Sequence, residues 1–563
     1  MQTQARYAFD APAQKWSRLL SIELGSLEPS SVITRFLKVC ILFRSGAFCH
    51  LVLRHKLRCL LAARIAHWDK KNAEARESHS MIFRSEVFSH MKPKLQVMKF
   101  GGTSVGDGSC IRRSATIVAN ASKESSVAVV VSAMSGVTNR LIDAAHQARR
   151  GDREAGKALA DALRKQHFEA LAALVPLEAS QLEVKSRIEE ILSEASRLYE
   201  GTALLRELTP RTLDSISSLG ERLCAPVFSA ALAAMGAAST PIEATELIVT
   251  DTFHGGADPQ AVPTRERSQK RLGPLLRSGQ VPVVTGFIGA TVDGALTTLG
   301  RGGSDYSATI LGAALDADEI IIWTDVEGVL TADPRLVPEA RTIPEISYRE
   351  AAELAYFGAK VLHPKTLRPV LPAGIPVWIR NSFAPANLGT KITPQGKSIG
   401  GGVKALTAIR DVALISVGGP GIVGVPDVVG RTFSTTAQLR AEVLLISQSS
   451  SQNDICFIVA KAHAQATLEA LRREFAQDLD HEVVEHITMD PNIAIVAVVG
   501  ENMRGTPGVA GRTFHCLGRE GVNIIAIAQG SSETNISFVV SDDSVKTALS
   551  ALHSEFNLSS SSK

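Results

Sequence analysis

"MKFGGTSVGD", residues 98–107, joins the end of a short apolar run to a glycine pair, a Thr-Ser pair and a further glycine. The run from Leu95 to Phe100, interrupted by Gln96 and Lys99, has the length and composition of a buried strand. A glycine-rich turn after a strand lets backbone N–H groups approach an anion without side-chain obstruction, and Lys99 adds a mobile positive charge beside it. The stretch therefore reads either as a phosphate site or as an ordinary tight strand-to-helix turn. It is not one of two familiar phosphate loops: no Gly-Lys-Ser/Thr ends it, and Gly101, Gly102 and Gly106 lack the G-x-G-x-x-G spacing.

Working outward, similar apolar runs recur as "SVAVVVSAM", "VPVVTGFIG", "EIIIWTDV" and "IPVWIR". Between them lie alanine-rich or amphipathic stretches, such as 153–174, 181–200 and 306–316, with helical spacing. Continuous apolar strands alternating with helices predict an α/β domain with a largely parallel sheet. Ligands in such domains bind in the loops at the carboxyl ends of the strands.

After about residue 390 the chain matches itself at an offset of 81 residues: "DVALISVGG" (411–419) answers "NIAIVAVVG" (492–500), and "GRTF" at 430–433 recurs at 511–514. Likewise "QSSSQNDICFIV" (448–459) matches "QGSSETNISFVV" (529–540). A gapless match of this kind is a duplicated domain, with too few copies for a solenoid. Each copy reads strand, helix, strand, strand, helix, which suits a split βαβ sandwich.

The chain of 563 residues has room for several domains, and no run of 18 apolar residues predicts a membrane span. Its seven cysteines are scattered and never form C-x-x-C, which argues against a disulfide framework and a zinc site. The net charge of +3 hides an asymmetry: residues 1–90 carry 14 Lys and Arg against 7 Asp and Glu, leaving 46 against 50 for the rest. The body therefore has no basic excess for nucleic acid. The N-terminal segment reads as a dispensable extension upstream of Met91, with a transit peptide or membrane-surface helix as alternatives.

Four further stretches carry polar residues where packing alone does not ask for them. "VSAMSGVTNRL" (131–141) follows a strand with Ser132, Ser135 and Thr138, and either binds a ligand or caps the next helix. "SLGERLC" (218–224) sets Glu221 and Arg222 among apolar residues of a helix. "TLGRGGSDYSA" (298–308) puts Arg301 in a second glycine-rich loop ahead of Asp305. A guanidinium there suits a carboxylate, and Asp305 suits either ordering a donor group or holding magnesium. "WTDVEGVLTADPR" (323–335) is either an acidic turn or a nucleotide pocket. Two glycine loops, Lys99, Arg301 and Glu221, without a covalent nucleophile or metal-ligand cluster, suit phosphoryl transfer, where positioning and charge neutralisation dominate. An acceptor with both a carboxylate and an ammonium would match Arg301 and Glu221.

In order, "KFGGTSVGD", "VSAMSGVTN", "LGERL", "GRGGSDYSA", "TDVEGVLTADPR" and "FGAKVLHP" (357–364) closely resemble the motifs of aspartate kinases, members of the amino-acid kinase fold family, and the repeat resembles their paired regulatory ACT domains. The resemblance implies a three-layer α/β kinase domain over 95–390, two ferredoxin-like α+β ACT domains at 391–485 and 486–563, and an extension at 1–94. It implies transfer of a phosphoryl group from ATP, with magnesium, to the β-carboxylate of L-aspartate, the first step towards lysine, threonine and methionine. Carried over by motif, Lys99 contacts the phosphates and stabilises the transfer. Gly101, Gly102 and Ser104 cradle the phosphates, and Asp305 orients Lys99. Ser132 and Thr138 hold the β-carboxylate side of the substrate, Glu221 its ammonium, and Arg301 with Ser304 its α-carboxylate. Thr324, Asp325, Leu330 and Arg335 line the nucleotide pocket, and Lys360 reaches the phosphates. Leu330 stands where some relatives carry an aromatic, which weakens only the adenine-stacking part of that role.

The alternatives are another kinase of the same fold, acting on glutamate or acetylglutamate, and a catalytically silent amino-acid sensor. Some relatives are fused to homoserine dehydrogenase, but with the second repeat ending near Lys563 no such domain is expected here. Gln448 and Gln529 occupy matching positions after apolar strands, each followed by serines, and suit a small polar effector better than a long cationic one. This favours threonine over lysine, held at a dimer of side-by-side ACT domains. The cytoplasm is the expected compartment, or the plastid if residues 1–90 are a transit peptide.

Overall fold

The computed structural model describes residues 94–358, 362–397, 402–419, 426–448, 453–503, 505–530 and 533–560. The expectations for residues 1–93, for Lys360 and for the serines after both glutamines lie outside them.

In the first domain the strands are β1 (Leu95–Phe100), β2 (Ser126–Val131), β3 (Ser239–Ile242), β4 (Val249–Thr250), β5 (Val281–Thr285), β6 (Ile288–Thr291), β7 (Leu296–Thr298), β8 (Glu319–Thr324), β9 (Glu345–Ser347), β10 (Val377–Asn381) and β11 (Thr390–Thr393). Eight form one sheet in the order β3-β5-β2-β1-β8-β10-β11-β9, and β4, β6 and β7 form a small separate one. Every pair in the large sheet is parallel except β10 with β11. The apolar runs predicted as strands are β1, β2, β5, β8 and β10, the central part of this sheet.

Side chains alternate across a strand, so one apolar run serves two cores. Val97, Val130, Ile320, Ile322 and Ile379 face one layer, which contains Ala308 and Leu311 of the helix Gly303–Ala314. Met98, Phe100, Val129, Val131, Ile321 and Trp323 face the other, packing on Ile111 and Val118 of the helix Gly108–Ala121 and on Leu223, Val227 and Phe228 of the helix Leu219–Ala234. The domain is thus a helix–sheet–helix sandwich. Lys99 shares the parity of Val97, which directs it towards the first turn of the helix Gly303–Ala314.

The C-terminal half is one six-stranded sheet made of β12 (Ala405–Gly418), β13 (Val443–Gln448), β14 (Asp454–Ala460), β15 (His486–Val499), β16 (Ala526–Ala528) and β17 (Asn535–Ser541), in the order β13-β14-β12-β15-β17-β16. The long strands β12 and β15 are the same element of the two copies. They pair antiparallel along their length, from Ala405 opposite Val499 to Gly418 opposite His486, around a bulge where Asp411 takes a positive φ of 58°. The first half of β12 therefore sits beside the second copy's strands, and the first half of β15 beside the first copy's. Each copy borrows an edge from the other, so a cut between residues 485 and 486 separates segments that share a ladder.

Helices Pro426–Gln438 and Lys461–Glu474 cover the first copy through Ile415, Phe457 and Leu471. Helices Val509–Arg519 and Val545–Glu555 cover the second through Val496, Phe538 and Leu549. The opposite face joins the first domain, with Ile458, Ile495 and Val539 in one cluster with Leu354 and Phe357.

Candidate active site

Lys99 sits one residue before the end of β1, and the chain then turns away through Gly101–Gly106. The Gly101 N–H donates to the Trp323 carbonyl on β8 at 3.1 Å, the Ser104 N–H to Gly101 O at 2.9 Å, and the Ser114 hydroxyl to Ser104 O at 2.7 Å. These bonds pin the loop between the sheet and the following helix. The Lys99 ammonium lies across the loop, 3.3 Å from where a Cβ on Gly101 would stand, so a side chain there would crowd it.

Lys99 Nζ meets Asp305 Oδ1 at 2.5 Å, with both side chains largely buried. Asp305 belongs to the first turn of the helix Gly303–Ala314, where a carboxylate is also favoured by the helix dipole. Glu221, in the first turn of the helix Leu219–Ala234, completes a group of three. It is 4% exposed, and its Oε2 has no protein partner. Burial pushes its carboxyl up to about 8, against the smaller opposing pull of the Ala133 backbone, its own backbone and the Lys99 charge. A buried carboxyl with an orphaned oxygen is matched by a cation arriving from outside, and an ammonium supplies one.

The loop of Ser132 and Thr138 lies against the first glycine loop: the Ser132 N–H donates to Phe100 O at 3.1 Å and the Ser135 hydroxyl to Gly102 O at 3.1 Å. Thr138 is half-buried in the first turn of the helix Val137–Arg149. Ser304 is half-buried beside Asp305. Arg301 is exposed and has no ion pair or hydrogen bond among the described residues, and its charge contributes to holding the His363 imidazole below its usual range, after burial and Lys365. The loop can pass so close to His363 only because Gly302 has no side chain, since a Cβ would lie 2.7 Å from His363 Cβ, and because its φ is 73°.

Ser104, expected to cradle the phosphates, is 1% exposed, and its hydroxyl faces inward, 2.8 Å from the Ser382 hydroxyl and 3.5 Å from Trp323 O. In this arrangement both polar contacts of that side chain are internal. Ser382 also donates to Thr324 O at 3.2 Å, so it ties the first glycine loop to the loop after β8. In that second loop Thr324 donates to Asp325 Oδ1 at 3.2 Å, Leu330 is half-buried and bridges Thr342, and Arg335 is exposed with its charge spent on Asp333 at 2.6 Å.

Sequence reasoning missed a support behind the second glycine loop. Asp214, 2% exposed, accepts from the Thr298 hydroxyl at 2.5 Å, from the His254 ring at 2.8 Å and from the Gly255 N–H at 3.1 Å. It fixes the start of the Arg301 loop from below. The partners lie 40 to 84 residues apart, so no local pattern announces them.

A sandwich of this topology with an ammonium-and-carboxylate cluster at the strand ends defines a small-molecule kinase class, and comparison with known proteins agrees. The amino acid kinase family matches residues 94–381, and ACT domains match 415–475 and 496–556. A bifunctional aspartokinase/homoserine dehydrogenase 1 of Arabidopsis thaliana is 37% identical over 469 residues, covering 82% of this chain and 51% of that protein. Escherichia coli aspartokinase III superposes with a TM-score of 0.67 in its complex with aspartate and ADP (30% identity) and 0.68 in its complex with lysine and aspartate (31% identity). Both superpositions cover 82% of this chain and 99% of the other. The chain belongs to the amino acid kinase family and, with its paired ACT domains, to the aspartokinases within it. It spans about half the length of the bifunctional relative.

Proposed function

We propose that the chain transfers the γ-phosphoryl group of ATP to the β-carboxylate of L-aspartate, giving 4-phospho-L-aspartate and ADP. The observation that carries the reading is the buried group of Lys99, Asp305 and Glu221. Glu221 takes the substrate ammonium, and its oxygen then gains the partner it lacks. Arg301, without an ion pair or hydrogen bond among the described residues, takes the α-carboxylate bidentately with Ser304. Ser132 and Thr138 hold the β-carboxylate, whose oxygen attacks the γ-phosphorus while the bond to the β,γ-bridging oxygen breaks. Lys99, oriented by Asp305, neutralises charge on the transferring group. Gly101 and Gly102 leave room for the phosphates, and Thr324, Asp325, Leu330 and Arg335 face the rest of the nucleotide, with Lys360 assigned to it by motif.

Magnesium accompanies ATP in this reading. Among the described residues no three His, Cys, Asp or Glu side chains gather as a metal cage, which suits an ion held mainly by phosphate oxygens and water. ADP release measured against a panel of amino acids tests the proposal. Aspartate alone should support turnover; dependence on glutamate or acetylglutamate would reassign the acceptor, and no turnover with any of them would leave the sensor reading.

The effector assignment rests on the repeat. Gln448 ends β13 and Gln529 follows β16, both side chains exposed at equivalent places. We assign them to threonine, with lysine as the second choice because an E. coli relative was solved with lysine. Association of ACT domains between two chains completes this reading, which places the enzyme in the cytoplasm, or in the plastid if the first 90 residues are a transit peptide. Among the described residues no helix is long and apolar enough to cross a membrane.

A further inference from the structure

The face of the large sheet opposite the Lys99–Asp305 pair carries a cleft that phosphoryl transfer does not use. It measures about 650 Å³ and lies between β1, β8, β10 and the helix Gly108–Ala121, with Gln96, Arg112, Arg113, Trp323 and Arg380 in its wall. Strand parity explains the placement: Gln96, Trp323 and Arg380 share the face of Met98, away from Lys99.

The wall is rich in donors that the protein leaves unsatisfied. Arg113 Nη1, Trp323 Nε1 and Arg380 Nε are buried without a hydrogen-bond partner, and Trp323 is 3% exposed. Neither Arg113 nor Arg380 forms an ion pair among the described residues. The nearby carboxylate, Glu319, is taken by Lys94 at 2.8 Å, by the Gln96 amide at 2.7 Å and by the Trp378 indole at 3.1 Å. Glu124, the one acid in the wall, is exposed.

Both guanidiniums lie over rings: Arg113 Cζ stands 4.5 Å from the Phe383 centroid, and Arg380 Cζ 4.5 Å from that of Trp378 and 5.9 Å from that of Trp323. A ring attracts the charge but accepts few of the five N–H donors, which stay available for an oxyanion. Burial lowers the Arg380 pKa from its ordinary range, with Glu319 opposing, so the charge is held at a free-energy cost that an anion would offset. Gln96 Oε1 is the one orphaned acceptor in the same wall and would take a hydroxyl.

We propose that this cleft binds a small-molecule oxyanion, a carboxylate or phosphate that also carries a hydroxyl, clasped by the N–H groups of Arg113 and Arg380 against the indole of Trp323. The pattern is that of a built anion site: two guanidiniums over rings, an indole donor, and no carboxylate ion-paired with either guanidinium among the described residues. The inference is independent of the acceptor assigned to the kinase site.

Calorimetric titration of the full chain with pyrophosphate and, separately, with citrate tests it. At least one probe should bind, and Arg113→Gln and Arg380→Gln should each weaken that binding by about tenfold or more, the loss of one charge-assisted contact. Repeating the titration with the kinase site filled by saturating ADP and aspartate should leave it within about twofold, since that site lies across the sheet. A response to pyrophosphate alone identifies a phosphate ligand, and to citrate alone a carboxylate. Absence of binding by both probes overturns the proposal, as does binding lost when ADP and aspartate fill the kinase site and kept in both arginine variants. Should the arginine variants fail to fold, wild-type crystals soaked in selenate decide. An anomalous peak within hydrogen-bond reach of Arg113 and Arg380 upholds the site, and peaks only elsewhere reject it.

Discussion

Glu221 holds its proton unusually tightly for a carboxyl because the helix Leu219–Ala234 buries it without a full set of partners. Its folded pKa of about 8 lies above the ordinary 4.5, so the folded protein binds the proton more strongly than the unfolded chain. By linkage, the stability tied to this proton is fully present below about pH 4.5 and is lost as the pH rises through about 8. Urea unfolding of the substrate-free protein should therefore show the wild type losing stability relative to Glu221→Gln across that window. Parallel pH profiles for the two would show that Glu221 is not buried uncompensated. At the same scale, if Arg301 holds a ground-state carboxylate as proposed, Arg301→Ala should chiefly raise the KM for aspartate, and if Lys99 meets charge developing in the transfer, Lys99→Ala should chiefly lower kcat. A contact of this kind is worth about 2 to 4 kcal/mol, or roughly thirtyfold to a thousandfold in the affected constant. Steady-state kinetics of both variants separates the roles; equal kcat losses at unchanged KM would refute them.

Among the elements, the helix Tyr348–Tyr356 links the two halves of the chain. Ser347 and Glu350 form a reciprocal cap at its start, with the Glu350 N–H donating to Ser347 Oγ at 3.1 Å and the Ser347 N–H to Glu350 Oε2 at 2.8 Å. The same carboxylate is fully buried and accepts from Lys404 Nζ at 2.7 Å and from the Glu501 N–H at 2.8 Å, both contributed by the chain after the first domain. A helix cap thereby becomes a junction between the amino acid kinase domain and the ACT sheet. Glu350→Gln should cost about 3 kcal/mol by leaving the Lys404 ammonium buried beside a neutral partner, and adding Lys404→Met should recover part of that loss. Denaturant midpoints of the two single variants and the double variant check this, with additive losses arguing against the pairing.

At the scale of the whole molecule, the interleaved β12 and β15 make the two ACT copies a single sheet, so a ligand bound at one copy would act on the ladder of both. Threonine should inhibit the kinase, and Gln448→Ala and Gln529→Ala should each relieve that inhibition, because feedback needs an effector that binds one state better than the other. Inhibition by lysine alone, or threonine inhibition that survives both substitutions, would reject the assignment. Residues 1–90 differ in charge from the acidic remainder, and the described fold begins its sheet at Leu95. A chain started at Met91 should stay soluble and turn over like the full one, as expression and ADP-release assays of the pair would show.

The sequence alone was enough for the α/β order, the central strands and the duplication, because these rest on local periodicity and on direct self-comparison: the apolar runs became the middle of the sheet, and the matched segments begin 81 residues apart, at 415 and 496. Lys99, Glu221 and Asp305 could be singled out because each is a charge set in an apolar or glycine-rich context. What sequence could not supply was distance. The meeting of Lys99 with Asp305, the inward turn of the Ser104 hydroxyl onto Ser382, the Asp214 support beneath the Arg301 loop and the exchange of strands between the ACT copies all join residues far apart in the chain. Their partners are chosen by which face of a strand or helix each side chain occupies once the layers have packed, and that choice exists only in the tertiary structure.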